Sequence, residues 1–182
     1  MCRRGITKEM ARVEMRRRLT LIGAMMVHLG DADGMVCGTV GAYHDHLRFV
    51  DEVIGRRPGA NVYAAMNILL LNERTVVLVD THVNDEPSAE QIAEFTIAAA
   101  REMSRMFLAP KVALLSRSNF GSGSSASGAK MRRALELVRE AAPELEIDGE
   151  MHGDCALDEA LRLRILPCLL YTSDAADDTP CV

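Results

Sequence analysis

The stretch LLSRSNFGSGSSASGAKMRRALELV, from Leu114 to Val138, passes from an apolar run through a serine- and glycine-rich tract into a helical pattern. In open α/β sheets, ligands bind where strands end and the next helices begin. Serine hydroxyls donate hydrogen bonds, glycine lets the backbone approach a ligand, and the first-turn amides of a helix favour an anion. The tract could therefore cradle a phosphate. It matches neither the Walker A pattern nor the dinucleotide-binding pattern, and a solvated connector would have the same composition.

Two further polar clusters follow apolar runs. The segment VDTHVNDEPSAEQ contains Asp80 and could orient a polar substrate or a metal. A capped turn rich in Asx residues has the same sequence pattern, and we favour the turn. In IDGEMHGD every second residue from 148 is polar, namely Asp148, Glu150, His152 and Asp154. A fully extended segment would place these four side chains on one face, where they could carry out acid–base chemistry or bind a divalent cation. Because glycines at 149 and 153 disfavour a plain extended segment, we predict no metal site.

The segment YHDHLR places His44 and Arg48 one helical turn apart, so the two could share an anion. A solvated helix face is the commoner outcome for such a pair. Residue types alone identify no catalytic residue.

Composition limits the classes of function. The 182 residues carry a net charge of −5 with Lys and Arg dispersed among acids, which argues against a nucleic-acid partner. No run of 18 apolar residues and no signal-peptide pattern occur, so we predict no membrane association and a cytoplasmic location. The five cysteines include no C-x-x-C pair, which suits a reducing compartment better than disulfides or zinc.

Hydrophobic periodicity predicts alternating helices and strands. Thr7 caps a predicted helix from about Lys8 to His28, and Ser88 and Gln91 occupy capping-box positions of another. Other helices are predicted from Tyr43, around Met131 to Val138, and from Cys155 to Arg164. The predicted strands are GMVCG, AAMNILLL, TVVLVD, KVALLS and LEID. The fold class is therefore α/β, with a mostly parallel sheet flanked by helices.

Two lobes are predicted, residues 1–61 and 62–167, with the turn RRPGANV at their boundary. The last fifteen residues, 168–182, break with the composition before them and resemble a translated sequencing adapter. We therefore predict that 168–182 is a non-native tail and that the natural chain is truncated near Pro167.

Four motifs occur in an order that carries a family resemblance: DADGMVCGTVGAYHDHLRFVDEVIGRRPG, VDTHVNDEPSAEQIAE, KVALLSRSNFGS and DGEMHGDCAL. Together they resemble the phosphotransacetylase-type module of bacterial NADP-dependent malic enzymes, a branch of the phosphate acetyl/butyryltransferase family. The resemblance spans about Cys2 to Pro167. It implies a two-lobed α/β module, truncated at both ends, whose cleft holds coenzyme A and an acyl or phosphate group.

The resemblance also implies site residues. By motif, Arg48 matches an arginine that holds phosphate, and the serine loop supplies acetyl-CoA- or phosphate-binding residues: Ser116, Ser118, Asn119, Gly121 and Ser122. Further candidate cleft residues are His44, Asp80, Asp148 and Glu150. The pattern departs from the family at two positions, since Phe120 stands where transferases carry lysine and Cys37 where they carry serine.

These departures favour a module that senses acetyl-CoA and joins subunits into a homo-oligomer over one that turns acetyl-CoA over. The resemblance implies no cofactor in this chain, with NADP and a divalent metal held by a malic domain elsewhere. The isolated chain is then expected to lack malic enzyme activity. Two alternatives stay open: a working acyltransferase between coenzyme A and phosphate, and a generic nucleotide-binding α/β domain.

Overall fold

The computed structural model describes residues 5–72, 74–106 and 109–165, which form a mixed α/β structure. The chain divides into two compact units, Met1–Asn61 and Val62–Val182. Their interpretation as lobes of a transferase module stays a prediction, and the tail from 168 lies outside the described residues. Within the described ranges, every helix is too short or too polar to cross a membrane.

The described regular elements of the first unit are three helices, α1 at Lys8–Arg17, α2 at Leu19–Leu29 and α3 at Tyr43–Val53. Thr7 caps α1 as predicted, since its side chain accepts a hydrogen bond from Met10 N. The helix predicted from 8 to 28 is interrupted at Arg18, whose backbone is extended. The interruption separates α1, which buries no residue, from α2, which buries three.

The predicted strand GMVCG is wrong. Residues 34–38 form neither strand nor helix, Val36 is fully exposed, and Gly38 has a φ of +121°. A strand needs a neighbour for its backbone hydrogen bonds, and all the described strands lie in the second unit.

The second unit contains four described strands: β1 at Met66–Leu70, β2 at Thr75–Val79, β3 at Lys111–Leu115 and β4 at Glu146–Met151. The α/β class is confirmed, but the described strands form two separate two-stranded sheets in place of one mostly parallel sheet. Strands β1 and β2 are antiparallel, because the four residues between them are too few for a parallel crossover. Strands β3 and β4 are parallel and are connected through a helix, α5 at Ala126–Ala141.

The core of this unit lies between α5, the β3–β4 pair and α4, which runs from Ala89 to Arg105. The predicted capping box at the start of α4 is confirmed, with Ser88 and Gln91 exchanging hydrogen bonds. Ile92 and Phe95 of this helix are buried, whereas Met106, directly after its last residue, is exposed. Each fully buried apolar side chain of this size contributes about 1.5–3 kcal/mol to stability.

The helix predicted from Cys155 to Arg164 is divided at Asp158 into α6, Gly153–Leu157, and α7, Glu159–Ile165. Arg162 is buried and donates from Nη1 to the carbonyl oxygen of Cys155, 2.9 Å away. This cation therefore satisfies a carbonyl in the last turn of α6, where a helix end favours positive charge.

Candidate functional site

The loop between β3 and α5 is folded against the end of β4. Ser116 N donates to Met151 O at 2.9 Å, and Phe120 N donates to Glu150 O at 2.7 Å. In the opposite direction, His152 N donates to Asn119 Oδ1 at 2.7 Å. Backbone and side-chain bonds thus join the serine loop to the Asp-Gly-Glu segment, and the loop is not the solvated connector that its composition allows.

The side chain of Glu150 is fully buried, and its Oε1 atom is where the donors of the loop converge. Ser118 Oγ donates to Oε1 at 2.9 Å and the Gly121 amide at 3.1 Å. Arg132, which projects from α5, donates from Nη1 at 2.6 Å. A carboxylate with these partners is stabilised in its charged form, because each donor favours negative charge on the acceptor.

The pKa of Glu150 lies below its ordinary value of 4.5. Burial raises it, but the hydrogen bonds from Ser118, Gly121 and Ser116, together with the charge of Arg132, lower it by more. The group is therefore ionised at neutral pH.

Gly128 brings the first turn of α5 against the same carboxylate. A Cβ atom at this position would stand 2.9 Å from Glu150 Oε1 and closer still to Oε2, so glycine makes room for the acid. Ser125 caps the helix by accepting from Gly128 N at 3.1 Å. The carboxylate consequently lies at the positive end of the α5 dipole.

Two successive residues with positive φ direct backbone amides of the loop toward Glu150. Phe120 has a φ of +46° and Gly121 one of +80°. This left-handed turn directs the Phe120 amide to the carbonyl oxygen of Glu150 and the Gly121 amide to its side chain. Such a conformation is uncommon for a residue as bulky as phenylalanine.

The structure brings together most of the predicted loop residues. They surround the side chain of Glu150, whereas the prediction was that they bind acetyl-CoA or phosphate. The inner members are Ser118 and Gly121, with Ser116 beside them. Ser122 turns the other way, with its Oγ accepting from Asn119 N at 3.1 Å. The assignment of these residues to acetyl-CoA or phosphate stays a prediction.

Sequence reasoning missed Arg132 and Gly128. They lie four positions apart in α5, one turn along the same face. That spacing is a weak signal, since it identifies a shared face without showing which acid the face meets.

Asp148 is buried two residues before Glu150 in β4. Its Oδ1 atom accepts from Gly149 N at 2.8 Å and from Arg139 Nη2 at 3.5 Å. Burial raises the pKa of Asp148 above its ordinary 3.8, although the Gly149 amide, Arg139 and Arg162 act in the opposite direction. Within the ranges the structure describes, no three His, Cys, Asp or Glu side chains are grouped as metal ligands.

Asp80 lies in a turn. It has a φ of +55°, and its Oδ1 accepts from Asn84 Nδ2 at 3.0 Å, while Asn84 also donates to Tyr63 O at 2.7 Å. These contacts join Asp80 to Asn84, and Asn84 to the backbone of Tyr63. A cleft role for Asp80 stays a prediction.

In the first unit, His44 and Arg48 lie one turn apart on α3 and both are exposed. His44 Nε2 is 3.8 Å from Asp45 Oδ1, and the Arg48 guanidinium lies 5.1 Å from the centre of the Phe49 ring. Neighbouring His46 is more firmly held, with Nδ1 2.7 Å from Thr20 Oγ1 and Nε2 3.0 Å from Val40 O. Because a carbonyl only accepts, Nε2 carries the hydrogen.

Known proteins similar to this chain include malic enzymes and phosphate acetyltransferases. The NADP-dependent malic enzyme of Escherichia coli strain K12 is 54% identical over 167 residues, which is 92% of this chain and 22% of that protein. The NAD-dependent malic enzyme of Rhizobium meliloti is 48% identical over 165 residues, 91% of this chain and 21% of that protein. The phosphate acetyltransferase of Paracoccus denitrificans is 39% identical over 171 residues, 90% of this chain and 54% of that protein.

A solved structure of a phosphotransacetylase is also similar to this chain. The EutD phosphotransacetylase from Staphylococcus aureus matches 89% of this chain and 50% of its own, with a TM-score of 0.73 and 29% identity. The chain spans about a fifth of the length of the malic enzymes it matches. The sequence model described as phosphate acetyl/butaryl transferase matches residues 1–175. The chain therefore belongs to the phosphate acetyl/butaryl transferase family, as the transferase-like module that bacterial malic enzymes contain.

Proposed function

We propose that the chain is part of an NADP-dependent malic enzyme, an oxidative decarboxylase of malate to pyruvate, and that it binds acetyl-CoA for regulation and oligomerisation. One observation carries the proposal. Four malic enzymes are 46–54% identical to the chain over about nine tenths of its length, whereas four phosphate acetyltransferases are 33–39% identical.

The charges of the loop support binding without turnover. Glu150 and Arg132 neutralise each other, and the side chain at position 120 is a phenyl ring where the family resemblance expects a lysine. Transfer of an acyl group from coenzyme A to phosphate requires cations that hold the phosphate and stabilise the charge of the transition state. A missing cation facing a dianion costs about a hundredfold in rate if its interaction is worth about 2.7 kcal/mol.

In this proposal acetyl-CoA lies against the outer side of the loop, where Ser116, Asn119 and Ser122 are at least partly exposed. The family resemblance also makes Arg48, in the first unit, a predicted acetyl-CoA- or phosphate-binding residue. Malate, NADP and a divalent metal would bind to a region of the malic enzyme outside this chain. The proposed location of the enzyme is the cytoplasm. Binding of acetyl-CoA would alter malate oxidation through a coupling free energy between separate sites.

The second candidate is a catalytic phosphate acetyltransferase or butyryltransferase. The match to the transferase family over most of the chain favours it, as does the preformed conformation of the loop. It requires that some cation other than a lysine at position 120 hold the phosphate.

Two measurements on the purified chain separate the candidates. Calorimetric titration with acetyl-CoA reports binding, and release of the coenzyme A thiol in the presence of phosphate reports transfer. The proposal expects saturable binding without thiol release. Phosphate-dependent release favours the catalytic candidate, and absence of both signals from a folded chain contradicts both candidates. The variant Arg48→Gln tests that arginine separately, because a weaker affinity for acetyl-CoA is expected if it contacts the ligand.

A further inference from the structure

The interior of the loop between β3 and α5 is built like an anion-binding site. A hydroxyl, a backbone amide and a guanidinium, from Ser118, Gly121 and Arg132, converge within 3.1 Å on a single oxygen atom. The first turn of a helix with a serine cap lies beside them. Donor sets of this kind at helix N-termini hold phosphate, sulfate and carboxylate groups. Here the oxygen is Oε1 of Glu150, from the same chain.

We propose that Glu150 is a built-in anion, which fills this donor set permanently, positions the loop before any ligand arrives and excludes phosphate groups from the loop interior. Glu150 is thus a positioning residue, and the phosphates of any ligand bind to other groups. This inference does not depend on the proposed binding of acetyl-CoA. It concerns the carboxylate of the chain itself and simple inorganic anions.

Burial and charge together support the exclusion. Glu150 is fully buried and Ser118 almost so, so a second anion on the same donors would stand within a few ångströms of a negative charge shielded from water. Repulsion at that distance is much stronger in a protein interior than in bulk water. The Ser118 hydroxyl has one hydrogen, and that hydrogen is already donated to Glu150.

A neutral Glu150 that acts only as a hydrogen-bond partner is the competing explanation. A protonated carboxyl group would attract Arg132 less and would carry a hydrogen that itself needs an acceptor. The two explanations differ in whether negative charge is required, so the test must vary charge at constant size.

Chemical rescue of a truncated variant provides that test. Glu150→Ala empties the donor set, and the melting temperature of the variant is then measured with formate, acetate or neutral acetamide at constant ionic strength. We expect formate and acetate to raise the melting temperature by several degrees with saturation, because a ligand of the folded state stabilises it, and acetamide to have little effect. The control is Met151→Ala, which truncates the next, fully buried side chain of β4 and should show no rescue. Equal effects of acetate and acetamide on a folded Glu150→Ala chain, or no effect of either, would overturn the proposal.

A second measurement uses the unaltered chain, in case the truncated variant does not fold. Carbon-13 NMR of the Glu150 side-chain carboxyl reports its charge, and the amide signals of Ser118 and Gly121 report whether inorganic phosphate enters the loop. We expect the carboxyl to stay ionised from neutral pH down to about pH 5 and the two amide signals not to saturate with phosphate. Uptake of a proton by Glu150 near neutral pH contradicts the proposal, and so does a saturating phosphate response at both amides. Neither readout involves acetyl-CoA, so failure of this proposal and failure of the proposed function are distinguishable.

Discussion

Arg132 Nη1 lies 2.6 Å from Glu150 Oε1, and the two ends of this ion pair have different access to solvent. The Arg132 side chain is 40% exposed, whereas that of Glu150 is completely buried. The arginine therefore connects the buried carboxylate to the surface of α5. Substitutions at the two ends are expected to have unequal effects, because loss of the arginine leaves the other donors of the acid in place.

Glu150→Gln should lower the free energy of unfolding at neutral pH by about 1.5–3 kcal/mol, the range for hydrogen bonds to charged groups. The difference in unfolding free energy between the variant and the wild type should become smaller as the pH falls. A carboxyl group with a lowered pKa stabilises the folded state above its unfolded-state pKa of 4.5, and this contribution is lost as the pH falls through the folded-state pKa. Urea unfolding at a series of pH values measures both. The control is Glu146→Gln in the same strand, where an exposed pair with Lys111 predicts a change of about 0–1 kcal/mol. Equal losses in the two variants would contradict the interpretation.

Gly128→Ala should destabilise the chain although it lies inside a helix. Alanine in place of glycine ordinarily stabilises a helix interior by about 1 kcal/mol, but here the new methyl group collides with the buried carboxylate. We expect a net loss of about 1–3 kcal/mol, as for overpacked cores, measured by thermal and urea unfolding. Gly153→Ala in α6 is the matched control, because a Cβ there meets no atom within 4 Å. A Gly128→Ala chain as stable as the wild type would show that Glu150 can move aside.

Asp148→Asn should have the opposite pH dependence to Glu150→Gln. Because burial raises the pKa of Asp148, its contribution to stability is fully present below 3.8 and is lost as the pH rises through the folded value. The stability of the asparagine variant relative to the wild type should therefore increase from about pH 4 to pH 7. Unfolding curves recorded at both pH values check this, with Asp158→Asn, at an exposed helix cap, as the control. A relative stability that falls over this range would show that Arg139 and Arg162 outweigh burial.

Phe120→Lys should not create acyl transfer if the module only binds acetyl-CoA. The substitution restores the cation that the family resemblance places in the loop, in a left-handed conformation that lysine adopts no more readily than phenylalanine. Thiol release from acetyl-CoA with phosphate present is the measurement, and Phe120→Met is the uncharged control. A rise in phosphate-dependent release of about tenfold or more with lysine alone would support the catalytic candidate.

Local signals in the sequence predicted local structure. Thr7 caps α1, Ser88 and Gln91 form a capping box, and the spacing of Met131, Leu135 and Val138 marks α5. Such patterns depend on residues that are close together in the sequence, so they can be recognised without knowledge of the fold. The strand GMVCG failed because an apolar pentapeptide becomes a strand only when a partner is available, and the sequence does not show the partner.

The site was predictable in part. The rule that ligands bind beyond strand ends identified the serine loop, and the alternation of polar side chains identified the Asp-Gly-Glu segment. It could not identify their mutual contact, since Ser118 and Glu150 are 32 positions apart and meet through the parallel pairing of β3 with β4. The inward direction of the Gly121 amide depends on the left-handed conformation of Phe120, which its residue type does not suggest.

The ladder between β3 and β4 is irregular at one point, where Leu114 faces Gly149 but Leu115 faces Met151. Glu150 therefore has no paired residue in β3, as at a β-bulge. Its side chain does not follow the in-and-out alternation of the neighbouring residues of β4. The side-chain anchoring of the loop consequently depends on Glu150, whereas Ile147 and Met151 are paired with β3. Changes at Ile147 or Met151 should report on the sheet, and changes at Glu150 on the loop, so the two can be engineered independently.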